Sequence, residues 1–326
     1  MNDISKLISN SFTNYMIDER GFSNNTVKSY RDTFVLYFEF LTEKKINIIK
    51  NNNLFTQKYV LEFLSYLEDK GSSISTINQR LAAIKSFCNY AIRYNPECFN
   101  EISRIKQLKP KKSIENKIDY LTKDEVKLLI ESIDSTHEIK DLAIVSLLYE
   151  SGARVQELID LKTSDIFLGT PSTIILHGKG KKIRKIPIND RCKKILSEYI
   201  KRYKIDNWLF INNSHNQYTR AGISYIISKY VNRARLKDKL LFKIKVHPHV
   251  LRHSKAMHML ENGVNLIYIR DFLGHSSVTT TEIYAKCNPE LKRQYLETVT
   301  LKIESNINNT ITDTKDELID WLRNNI

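Results

Sequence analysis

Five short clusters in this chain carry side chains that could act on phosphorus. In SGARVQEL, residues 151–158, Arg154 follows a Gly-Ala turn at the end of an apolar run from Leu142 to Tyr149, and Glu157 stands three residues further on. A basic turn at 178–182, GKGKK, holds Lys179, Lys181 and Lys182, with Arg184 just beyond. In HPHVLRH, residues 247–253, His249 and Arg252 lie three apart and share a face if the segment is helical. Leu273-Gly-His275 and then Tyr284, nine residues after that histidine, complete the set. Taken singly, each cluster has an ordinary explanation: a solvated arginine at a helix start, a hairpin tip, one core tyrosine among 17.

Together they hold what is needed to attack a phosphodiester without a metal. The transition state is a five-coordinate phosphorus with extra negative charge on its non-bridging oxygens. Guanidinium forks suit those oxygens better than lysine because they bond bidentately. A free phenol titrates near pH 10, so a tyrosine nucleophile must be activated. The leaving 5′-oxygen needs a proton, which a lysine or histidine can give.

These residues must be carried by a mainly helical chain, α+β in class. Residues 1–102 read as a small helical domain. Its apolar stripes are Leu7, Ile8, Phe12, Tyr15; then Val27, Tyr30, Phe34, Tyr37, Phe38, Leu41 after the capping residues Ser23 and Thr26; then Val60, Phe63, Leu64, Leu67 up to Gly71; then Ile77, Leu81, Ile84, Phe87, Ala91 from near Ser75. Residues 103–118 have weak periodicity, a proline and clustered lysines, the composition of a basic linker. Thr122 and Glu125 form a capping box that opens the second domain, 119–302. There Ile174–Leu176 and Ile183–Ile188 flank the basic turn as the one β arrangement. A second capping box, Thr314 to Glu317, begins an amphipathic helix within the tail, 303–326.

The chain has 326 residues and a formal net charge of +14. Its Lys, Asn and Ile content could reflect an AT-rich genome, but such a bias would spread the excess evenly. It is uneven: 104–118 carries six basic residues against one acidic, 119–302 carries 31 against 20, and the tail two against five. A polyanionic partner fits this distribution. Lys109, Lys111, Lys112, Lys181, Lys182 and Arg184 are the candidate contacts to that polyanion. No long apolar run or signal pattern is present, so a cytoplasmic location with no membrane partner is expected. Cys88, Cys98, Cys192 and Cys287 are scattered without disulfide or zinc spacing.

In order and spacing, Ala-Arg-x-x-Glu-Leu, Gly-Lys-Gly followed by Arg-x-Ile-Pro, His-x-Leu-Arg-His, Leu-Gly-His and the final tyrosine resemble the tyrosine recombinase (phage integrase) family over nearly the whole chain. The resemblance implies a SAM-like helical core-binding domain before a mostly helical catalytic domain with a small sheet. The two domains would clamp duplex DNA. It also implies that Arg154 and Arg252 clamp the phosphate and that Lys179 protonates the leaving 5′-oxygen. His249 would orient the phosphate and take the phenolic proton, His275 would donate to the phosphate, and Tyr284 would form a 3′-phosphotyrosine. Glu157 falls at a family acidic position and would support a clamp residue.

The bond energy held in the phosphotyrosine removes any need for ATP, and no cofactor is expected. Strand exchange through a Holliday junction implies a homotetramer on two DNA sites with inverted-repeat cores, and an accessory protein is a further candidate partner. With the helical domain beginning near residue 1, a simple two-domain Xer- or Cre-like arrangement is expected. His249 and His253, four apart, have metal-ligand spacing, but no acidic partner is near and no metal site is expected. His253 is read as a packing residue or a backbone partner. Two other readings are a type IB topoisomerase-like enzyme and a DNA-binding protein that keeps the fold without the chemistry.

Overall fold

The computed structural model describes residues 3–47, 54–94, 99–112, 118–178, 182–275, 277–278, 281–284, 293 and 323–324. It divides into two compact units, Met1–Asn116 and Lys117–Ile326. The predicted tail helix and the turn lysines Lys179 and Lys181 lie outside the described residues.

In the first unit, α1 (Asp3–Asn10) runs into a π-helical segment, Ser11–Glu19, followed by α2 (Asn24–Glu43), α3 (Gln57–Asp69), α4 (Ile74–Ala91) and α5 (Phe99–Gln107). The caps follow from side-chain chemistry: the Oγ of Ser23 accepts from the Thr26 backbone N–H at 3.3 Å, and Ser73, not Ser75, does the same for Thr76 at 3.2 Å. Phe34, Phe55 and Phe87 meet at the centre with centroids 4.8–6.0 Å apart. Residues 103–107, expected as the start of the linker, are instead the end of α5, which sinks Ile102 and Ile105 into this core.

The second unit opens with the expected capping box: the Thr122 N–H donates to Glu125 Oε2 at 2.8 Å, and the Glu125 N–H to Thr122 Oγ1 at 3.2 Å. It starts α6 (Lys123–Glu131), and α7 (Ile139–Ser151) follows. From Leu142 to Leu148 helix α7 is buried on every side, as a helix at the centre of a domain must be. It packs against α9 (Asp190–Tyr203) and α11 (Pro248–Glu261). Between α8 (Val155–Ile159) and α9 lies an antiparallel sheet in the order β1 (Ile166–Phe167), β2 (Thr173–His177), β3 (Ile183–Pro187). β2 and β3 are the predicted hairpin, with Ile174 opposite Ile186 and Leu176 opposite Arg184; β1, two residues long, is an addition. Helices α10 (Arg220–Lys237) and α12 (Leu266–Leu273) and the helical turn 281–284 complete the described unit.

Candidate active site

Two glycines set up the site. Helix α7 ends on Gly152, whose φ of +56° is left-handed, and a Cβ there would stand 3.0 Å from Leu273 Cδ2. Helix α12 ends the same way on Gly274, at φ +67°. The last carbonyls of both helices therefore point, unpaired within their helices, at a common region where cations are favoured. Arg252 fills it: Nη1 donates to the Gly152 carbonyl at 2.6 Å and Nη2 to that of Leu273 at 2.7 Å. Arg154 reaches the Gly274 carbonyl through Nη2 at 3.3 Å. Burial, then the charges of Arg154 and Arg184, lowers the Arg252 pKa to about 10, so it remains a cation at neutral pH.

The counter-charge is Glu157. As the third residue of α8 it takes the Arg154 backbone N–H on Oε2 at 2.7 Å and the Arg154 Nη1 on Oε1 at 2.8 Å. Arg184, from β3, adds Nη1 to Oε1 at 2.9 Å and Nη2 to Oε2 at 2.6 Å. Burial pushes this carboxyl up, but the hydrogen bonds and charge of Arg184, with those of Arg154, outweigh it and hold the pKa at about 2. Arg184 was expected on DNA; it is turned inward, because its strand position shares a face with buried Ile186. A cleft of about 830 Å³ opens beside this network, lined by Arg154, Gly178, Lys182, Arg184, Gly274 and His275 among others.

Pro248 starts α11, and His249 in its first turn is exposed. His253 lies one turn further in, and its Nδ1 is 2.9 Å from the Tyr284 hydroxyl. Tyr284 is itself buried, in a cluster with Ala256, Met257, Leu260, Ile269 and Leu273. The His275 ring runs nearly parallel to that of Tyr284, at 11° and 6.5 Å, and its Nδ1 meets Thr281 Oγ1 at 2.9 Å. Burial, followed by the nearby charges of Arg252 and Arg154, lowers His275 to about 4. Burial raises the Tyr284 pKa against the opposing pull of Arg252 and Arg154, so the phenol is protonated at rest.

Arg154, Arg252, His275 and Tyr284 thus meet around the ends of α7 and α12, with His249 at the rim. The reading of His253 as a packing or backbone partner is corrected, since it bonds the phenol. Thr281 was missed, and no spacing marks it. Lys109, Lys112 and Lys182 are exposed, and Lys111 pairs with Glu68. Among the described residues no group of three His, Cys, Asp or Glu is placed to hold a metal ion. Nor is any described helix long and apolar enough to cross a membrane.

Residues 119–290 match the phage integrase family, and residues 10–95 match the phage integrase N-terminal SAM-like domain. The tyrosine recombinase XerC of Staphylococcus carnosus (strain TM300) is 30% identical over 298 residues, 89% of this chain and 96% of that one. XerC of Staphylococcus haemolyticus (strain JCSC1435) is 29% identical over 295 residues, 88% and 94% respectively. Among solved structures, XerH site-specific recombinase bound to a palindromic difH substrate, a post-cleavage complex, shares the fold with a TM-score of 0.68 at 21% identity, over 86% of this chain and 80% of that one. The chain belongs to the phage integrase family and is a tyrosine recombinase, a site-specific enzyme that breaks and rejoins DNA through a 3′-phosphotyrosyl intermediate and a Holliday junction.

Proposed function

We propose that the cleft beside Arg154 is the strand-cleavage site and that the residues in and around it divide the work as follows. Arg154 and Arg252 hold the two non-bridging oxygens of the scissile phosphate. Their fixed guanidinium planes are charge that needs no reorganisation as the transition state forms. His275 donates a further hydrogen bond to the phosphate. Tyr284 attacks phosphorus as its proton passes to His249, and Lys179 protonates the departing 5′-oxygen. Glu157 takes no part in bond making; it orients Arg154 and balances the local positive charge.

The observation that carries this reading is the anchoring of Arg252 on the Gly152 carbonyl, 100 residues away in sequence, which sets the second arginine beside the loop of the first. The test is a duplex bearing the enzyme's own site, selected from random sequences and nicked so that the cleaved end is lost. Wild type leaves a protein–DNA adduct that survives denaturant and forms equally well with a chelator present; Tyr284→Phe leaves none. Adduct from Tyr284→Phe at the wild-type rate would overturn the assignment.

We further propose that residues 1–107 bind core DNA, that 108–118 joins them to a catalytic domain at 119–302, and that 303–326 contacts a second protomer. The working form is a cytoplasmic homotetramer on two inverted-repeat sites, with room for an accessory protein. Lys109, Lys111, Lys112, Lys181 and Lys182 contact DNA phosphates.

A further inference from the structure

We propose that His253 is a positioning residue for the nucleophile: its Nδ1 holds the Tyr284 hydroxyl in the field of the two clamp arginines. This deepens the assignment of Tyr284 as the nucleophile and rests on it.

Three observations carry the inference. The first is the 2.9 Å contact between Nδ1 and the phenolic oxygen. The second is the order of rings along α11. His249 and His253, four residues apart, stand one above the other with centroids 6.5 Å apart, and Tyr284 follows His253 at 5.8 Å. His249 is exposed at the rim, His253 half-buried beneath it, and Tyr284 buried below that. The third is that the phenol is fixed from two sides, because His275 lies parallel to it and is itself tied to Thr281.

The protonation states agree with this geometry. Burial, then the charges of His249, Arg252 and His247, lowers the His253 pKa to about 4 against the opposing effect of Asp119. The imidazole is neutral at neutral pH, and a neutral ring with its hydrogen on Nε2 offers an Nδ1 lone pair to the phenol. The O–H then points along α11, and rotation about the Tyr284 side chain is restricted. A reacting group misplaced by an ångström can lose about 10²-fold in rate, so holding this hydroxyl matters to the chemical step.

The test compares His253→Asn, His253→Gln and His253→Phe in the full chain. An Asn side chain can set a polar atom where Nδ1 lies, whereas Gln sets one nearer Nε2, and Phe keeps the ring alone. The readouts are the single-turnover rate of adduct formation on the nicked duplex and the affinity for an uncleaved duplex. The expected result is Asn within about 5-fold of wild type and Gln and Phe slower by about 30-fold or more, with DNA affinity within about twofold throughout. If Phe does not fold, the contrast of Asn with Gln decides. Equal rates for Asn and Gln, or rate losses matched by losses of DNA affinity, would overturn the inference. A wild-type chain that forms no adduct would remove the assignment of Tyr284 itself, an outcome distinct from any ranking of the His253 variants.

Discussion

Arg184 grips Glu157 edge-on, with Nη1 on Oε1 at 2.9 Å and Nη2 on Oε2 at 2.6 Å, while the same carboxylate holds Arg154. One buried acid thus links the sheet to the loop after α7 and offsets part of the charge of three arginines. Arg154 keeps an exposed edge, with 36% of its side chain open, whereas the Arg184 side chain is 11% exposed. The more exposed arginine is held, through Glu157, by the more buried one.

Glu157→Gln tests that link. Removing the charge leaves Arg154, Arg184 and Arg252 together with no counter-charge. Breaking a buried pair of this kind costs about 3–5 kcal/mol. Residues 1–116 hold no tryptophan and Trp208 stands in the second unit, so tryptophan fluorescence in urea reads that unit's unfolding. The pH dependence has a definite sign. The folded pKa of about 2 lies below the ordinary glutamate value near 4.3, so the stabilisation is full above about pH 5. It fades as pH falls through that window toward 2. The wild-type midpoint should therefore drop more steeply between about pH 5 and pH 3 than that of Glu157→Gln. Parallel curves would show that the pair does not stabilise the fold.

Gly152→Ala should be costly for two separable reasons. Any Cβ at φ +56° costs about 1–2 kcal/mol, and here it also meets Leu273 Cδ2 at 3.0 Å and Phe272 Cε1 at 3.1 Å. Gly71, at φ +79° with nothing within 4 Å of a Cβ, isolates the backbone contribution. Circular dichroism in urea should give about 1 kcal/mol for Gly71→Ala and about 3 kcal/mol for Gly152→Ala. Adduct formation should slow only in the second variant, because the carbonyl that anchors Arg252 moves with α7. Equal costs would mean that α12 gives way freely.

What could be read from the sequence was what local chemistry fixes. Ser23, Thr122 and Glu125 announce helix starts because their side chains satisfy backbone N–H groups that any helix leaves open. The five motifs were legible because their residue types are unusual together. Helix α5 was not, since Arg104 and Lys106 hide the Ile102–Ile105 spacing that buries it. β1 is too short for any period. The inward turn of Arg184 was there to be read, two residues before Ile186 on the same strand face, but a basic turn next to it invited a surface reading. The His253–Tyr284 bond joins residues 31 apart and depends on how the helical turn 281–284 meets α11, which no local pattern encodes.

Salt dependence sorts the candidate DNA contacts. Each phosphate neutralised contributes about −0.9 to the slope of log affinity against log salt. Lys109 and Lys112 are exposed, and replacing both with Ala should make the slope shallower by about 2. Lys111 shares its charge with Glu68, so Lys111→Ala should change the slope by less than either. Arg184→Ala should leave the slope where it was, since that side chain faces Glu157. A loss of slope in Arg184→Ala as large as in the lysine variants would mean that Arg184 leaves Glu157 when DNA binds.

The tail should separate assembly from binding. Residues 303–326 carry two basic residues against five acidic ones, a charge that DNA phosphates repel. Leu318, Ile319, Trp321 and Leu322 give the same segment an apolar set that a protein surface could cover. Deleting 312–326 should therefore leave the affinity for one isolated site within about twofold, because no phosphate contact is lost. Pairing of two sites, read as a slower band in native gels, should fall by about tenfold or more, and recombination with it, if the apolar set supplies as little as 1.4 kcal/mol per protomer contact. A deletion that weakens single-site binding as much as pairing would place the tail with the DNA-binding machinery and remove the protomer contact from the proposal.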